Sequence, residues 1–120
     1  MASLNTFGAI MTHAVNLEAD LAAYYAQAGN PDRAKAADKQ RQKMERIRRE
    51  AVLEITLEPI DGLDAADYTL NLEDTTAADQ QAIEATAARF YADVAPRINV
   101  RQAQRALERA GQDHAALAKS

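Results

Sequence analysis

Two glutamates, each followed seven residues later by a tyrosine, are the first residues of this chain whose types and spacing could do chemistry. Glu18 precedes Tyr25, and Glu84 precedes Tyr91. Seven residues are two helical turns, so each carboxylate shares a helix face with its phenol. An aromatic residue sits before each tyrosine, Tyr24 in one case and Phe90 in the other. The pattern thus occurs twice, once in each half of the chain. Carboxylates that point into a core need a cation or a proton among them. Phenols on the same face can donate hydrogen bonds to them.

The elements that must carry these groups are helices. Ala is abundant, with Gln, Glu, Arg and Leu, while strand-favouring residues are few. A first helix is expected from Thr6 to Ala28, with Phe7, Met11, Ala14, Leu21 and Tyr25 on one face. Gly29-Asn30-Pro31 stops it; Asn30 suits an N-cap and Pro31 the first turn of the next helix. The second helix is expected from Asp32 to Glu54. Residues 55–74 read as a crossover broken by Pro59 and Asp61-Gly62, with Leu57, Ile60, Leu63, Tyr68, Leu70 and Leu72 pinning it to the bundle. A third helix, 77–95, opens on Thr76 and Asp79, a capping box with Asp in place of Glu, and closes at Pro96. The fourth, 100–119, has Asn99 as its expected cap. The 120 residues thus make one all-α domain: hairpin 6–54, crossover 55–74, hairpin 77–119. Two short-loop hairpins with one long connection are the topology of ferritin-like bundles.

The repeat resembles the ferritin-like superfamily, and within it the rubrerythrin-type branch. There each half supplies Glu, six residues, Tyr, and then Glu-x-x-His on the following helix. The resemblance covers both hairpins and implies an inward-facing site for two iron or manganese ions. Twenty residues beyond Tyr25 is Glu45, and three later Arg48; twenty beyond Tyr91 is Gly111, and three later His114. The first half has Arg where the family has His, and the second has Gly where it has Glu. The ligands the resemblance implies are therefore Glu18, Glu45, Glu84 and His114. Tyr25 and Tyr91 would be their hydrogen-bond donors.

Two compensations are open for such an incomplete site. One divalent ion, iron or manganese, could be held by some of the four ligands. Alternatively, Arg48 could neutralise the carboxylates in the former metal cavity, with Arg41 able to do the same. Helix phase separates these from a third arrangement. Ala37, Met44, Ile47 and Ala51 form the apolar stripe of the second helix, about 100° from Glu45 and Arg48. If that stripe faces the centre, Glu45 lies at the rim. Ala103, Leu107, Ala110, His114 and Leu117 form one stripe, which turns His114 inward. His13 has Asp79 as its counterpart in the other half and is read as structural or exposed.

Other function classes fall away on composition. There is no Cys, so thiolate metal sites, disulfides and cysteine nucleophiles are excluded. Ser occurs only at positions 3 and 120, and no Gly-rich phosphate loop is present. The net charge is −4, which argues against a nucleic-acid partner. No apolar run suits a membrane, and the segment from Met1 to Ala22 lacks a basic leader region, so a cytoplasmic protein is expected. The second helix is strongly basic, from Arg33 to Arg49, whereas 51–88 holds acids and no Lys or Arg. The basic run is a solvated face or an anion surface, without interleaved aromatics. It could pair with the acidic crossover within one chain or across a homodimer, the expected assembly. The expected function is a small rubrerythrin-like protein with a reduced metal site. The alternative is a metal-free bundle serving as an interaction or structural module for a protein partner the sequence does not identify.

Overall fold

The structure is a computed structural model that describes residues 4–50 and 62–119. Its fold is all-α, with four helices among the described residues: α1 (Phe7–Gln27), α2 (Pro31–Glu50), α3 (Ala77–Val94) and α4 (Arg101–Ala118). Helix α1 packs along α2, and α3 along α4; α2 also meets α4. The molecule measures 41 × 25 × 22 Å.

The local signals that bound the helices are mostly those expected. Thr6 caps α1, its hydroxyl accepting from Ala9 N at 3.0 Å. Gly29 takes φ +78°, a conformation only glycine adopts without strain, and this turns the chain into α2. Asn30 Oδ1 then accepts from Arg33 N at 3.2 Å, satisfying an orphan amide of the new helix. The Thr76–Asp79 capping box forms in both directions. Pro96 lies in a short 3₁₀ turn, Ala95–Arg97, that ends α3. One cap differs from expectation. Val100, not Asn99, occupies the N-cap of α4, and it offers no side-chain bond.

The segment expected to form a crossover is described from Gly62 onward; the expected end of the second helix, with Ala51, and the expected anchors Leu57 and Ile60 lie outside the described residues. Within the described part, a 3₁₀ turn at Ala65–Tyr68 buries Tyr68, whose hydroxyl donates to Asp93 Oδ2 at 2.7 Å. Leu63, Leu70 and Leu72 pack partly buried against the core. His13 is half-buried here, its ring 4.6 Å from that of Phe90 and 6.4 Å from that of Tyr68. It is a packing residue, and burial holds its pKa below the usual value against the opposing pull of Asp20.

Helix α1 buries a face at i, i+3, i+4 and i+7 spacing that runs from Phe7 to Tyr25. Helix α2 buries only Ala37, Met44 and Ile47. Its phase is thereby fixed, with the apolar stripe inward. Helix α4 buries Ala103, Ala106, Leu107, Ala110 and His114. Among the described residues, the polar or charged side chains inside this core are Glu18, Glu84 and His114.

A buried glutamate–histidine–glutamate clamp

Three helices each contribute one ionisable group to the bundle centre. Glu18 comes from α1, Glu84 from α3 and His114 from α4, with exposures of 0%, 1% and 4%. The imidazole of His114 lies between the two carboxylates. Its Nε2 is 2.5 Å from Glu18 Oε1, and its Nδ1 bonds Glu84 Oε2. One ring thus binds both hairpins together. The matched positions of the internal repeat, Glu18 with Tyr25 and Glu84 with Tyr91, are buried in both halves.

The two tyrosines do different work. Tyr25 Oη donates to Glu84 Oε1 at 2.6 Å, reaching across from the other hairpin. Arg33 covers the Tyr25 ring at 5.5 Å and places Nη1 3.5 Å from its hydroxyl. Tyr91 lies flat on His114 instead, and among the described residues its buried hydroxyl has no hydrogen-bond partner. The asymmetry follows from the sequence. Of the two histidines only His114 reaches the centre, His13 packing on Phe90 instead, so only one imidazole lies where a tyrosine of the repeat can stack on it.

The electrostatics favour a charged ring. Burial lowers the pKa of His114, but the hydrogen bonds and charges of Glu18 and Glu84 outweigh it and push the value up to about 10. The ring is then an imidazolium at neutral pH, and both nitrogens donate. Burial raises the pKa of Glu18 despite the opposing contact with His114. Burial first, and then the charges of Glu18 and Glu84, raise the Tyr91 phenol well above its usual value. The Tyr25 phenol is also raised, by burial and by its bond to Glu84.

The remaining residues expected at the centre lie elsewhere. Glu45 is at the rim, its side chain 38% exposed and its carboxylate paired with Arg41 at 3.0 Å. Arg41 also binds Asp38 at 2.9 Å, so it is spent on α2 itself. Arg48 donates to Thr12 Oγ1 at 3.3 Å, at the outer edge of the α1–α2 seam. Met44 and Ile47 take the inward places instead. The compensating cation is therefore His114 and neither arginine. The sequence contained this possibility, since a lone inward histidine beside two carboxylates can be their cation as well as a ligand beside them.

This donor set does not fit the two-metal site that the resemblance implies. Glu45 and Arg48 do not reach the centre. At position 111 even a Cβ would stand 3.0 Å from Tyr91 Cβ, so a side chain there requires the neighbouring helix to give way. A single ion meets a different obstacle. Ligands must converge on one point, whereas the nitrogens of His114 diverge to opposite carboxylates. Among the described residues no three His, Asp or Glu side chains are grouped to hold a metal.

A cavity of about 280 Å³ opens beside the clamp, bounded by Tyr25, Arg33, Gln40, Glu84, Asp113 and His114. Gln40 Nε2 donates to Asp113 Oδ2 at 3.0 Å across its mouth. Among the described residues, no helix is long and apolar enough to cross a membrane. No family model, no curated protein and no solved structure matches this chain.

Proposed function

We propose that this chain is a degenerate ferritin-like bundle that works without a native metal, as an interaction module. The observation that carries this reading is the position of His114. A ring that gives one nitrogen to Glu18 and the other to Glu84 fills the role a metal would have between those carboxylates. It supplies the positive charge and joins the two hairpins. Three groups brought inward by three helices are thereby satisfied by one another, which is what buried ions require. A catalytic reading lacks support of the same kind. The clamp has no exposed nucleophile, and its acid and base are locked together.

In this reading the surface, not the core, carries the activity. The clamp fixes the register of the two hairpins, and that register sets which side chains of α2 and α4 face each other.

Elemental analysis of protein purified without added metal tests this reading. Less than about a tenth of an equivalent of iron, manganese or zinc is expected, and one equivalent of added Mn²⁺ should leave the melting temperature unchanged. A stoichiometric bound ion, or a marked stabilisation by Mn²⁺ that Glu18→Gln abolishes, would replace it with the reduced one-metal site.

A further inference from the structure

Five cations face one another where α2 meets α4. Lys43 and Arg46 stand on α2, and Arg101, Arg105 and Arg109 on α4, around a groove of about 410 Å³ with Ile47 and Ala106 at its base. None of the five has an ion pair among the described residues. The nearest acids in sequence, Glu45 and Glu108, make none with them either, since Glu45 pairs with Arg41. Like charges held together without counter-charges repel and weaken a fold. The arrangement gains a reason if a partner supplies the anions.

The pattern of the cations narrows the partner. Arg101, Arg105 and Arg109 recur every fourth residue, which makes a gently slanted row that rises about 12 Å along the helix, about 6 Å per step. Four of the five cations are arginine, whose planar fork pairs with carboxylates in bidentate fashion. A second helix with acids at every fourth residue presents its carboxylates at the same step, because both rows follow one helical geometry. The shallow apolar base and the arginine stems suit the aliphatic side of such a helix. Among the described residues no aromatic side chain lines the groove, so nucleic-acid bases would find no stacking platform there. A chain of net charge −4 also repels a long polyanion beyond the groove, whereas a short helix meets only the local cations.

We infer that the α2–α4 groove docks an acidic α-helical segment of a partner protein. The inference deepens the interaction-module reading and rests on it for the fixed register of α2 and α4. The test uses the full chain and fluorescence anisotropy. One probe is a labelled synthetic peptide with Glu at every fourth position among Ala and Leu, made long enough to hold a helix in water, about 16 residues. The others are the same peptide with Gln for Glu, and a short single-stranded oligonucleotide. The Glu peptide should bind, with affinity falling as salt rises, and the Gln peptide at least about tenfold more weakly. Replacing Arg101 and Arg105 together (Arg101→Gln, Arg105→Gln) should weaken the Glu peptide at least about tenfold while helical circular dichroism is retained. Equal binding of the Gln peptide, indifference to the arginine changes, no binding at all, or tighter binding of the oligonucleotide would each overturn the inference. Metal content measured on the same preparation keeps the two readings apart. A loaded centre contradicts the metal-free function, whereas the peptide result alone decides the groove.

Discussion

The ring of Tyr91 lies parallel to the imidazole of His114, with planes 3° apart and centroids separated by 5.6 Å. A cationic imidazole gains from such an aromatic face, much as other cations do. The stack also explains why Tyr91 does not mirror Tyr25. Its counterpart reaches across the bundle to a carboxylate, whereas Tyr91 holds the ring that bridges both carboxylates.

That division of labour separates two otherwise similar substitutions. Tyr25→Phe removes a hydrogen bond to a buried carboxylate and should destabilise the fold by about 1.5–3 kcal/mol. Tyr91→Phe keeps the stacked ring and deletes a hydroxyl without a partner among the described residues. It should be neutral or slightly stabilising. Urea denaturation of both variants checks the contrast, and equal losses would mean that the Tyr91 hydroxyl also supports the centre.

The clamp as a whole should behave as buried ion pairs do. His114→Ala leaves two carboxylates facing each other without a cation, and a loss of roughly 3–5 kcal/mol is expected. Replacing the set together with apolar residues (Glu18→Leu, Glu84→Leu, His114→Leu, with Tyr25→Phe) should cost far less, or stabilise by about 1–4 kcal/mol. Thermal denaturation of the two proteins gives the comparison. A combined variant less stable than His114→Ala would show that the polar groups themselves drive the packing.

Stability should also depend on pH through His114. Glu18 on α1 and Glu84 on α3 face its nitrogens, Tyr91 stacks on it, and the cavity that reaches it is edged by Arg33 of α2 and Asp113 of α4. Its pKa rises from the usual 6.5 to about 10 in the folded chain, against the lowering effect of burial and because of the two carboxylates. A raised value means that the folded state holds the proton more tightly. Its stabilisation is complete below about 6.5 and is lost as pH rises through about 10. Denaturation midpoints should fall over that window in the parent chain, and the part of the fall due to this group should vanish in His114→Gln.

Gly111 gives a prediction that opposes simple helix propensity. Alanine is favoured over glycine inside a helix by about 1 kcal/mol. A Cβ at position 111, however, would lie 3.0 Å from Tyr91 Cβ in the close α3–α4 contact. Gly111→Ala should therefore destabilise, by about 1–3 kcal/mol, through overpacking. A gain in melting temperature would mean that α4 moves away from Tyr91 at little cost.

Much of this arrangement was legible in the residues themselves. The repeated Glu–Tyr spacing located both buried carboxylates, and the α4 stripe through Leu107 and Ala110 turned His114 inward. The breaks at Gly29-Asn30-Pro31 and Pro96, and the Thr76–Asp79 cap, marked helix ends because their chemistry is local. The phase of α2 was not settled by sequence, because two stripes competed: Met44 with Ile47, and Glu45 with Arg48. Packing resolves the competition in favour of the apolar pair, since Arg41 offers Glu45 a partner in water at far lower desolvation cost. The role of His114 was obscured for a related reason. Spacing along a chain shows that a ring points inward but not that it lies between two carboxylates from other helices.

The centre is most directly read by ¹⁵N-resolved NMR of the His114 ring at pH 7, with and without one equivalent of Mn²⁺ or of diamagnetic Zn²⁺. The clamp predicts protons on both ring nitrogens and a spectrum that the added ion leaves unchanged. A ring with one bare nitrogen, or one whose signal moves or broadens stoichiometrically with metal, would contradict the clamp and restore a metal to the middle of the bundle.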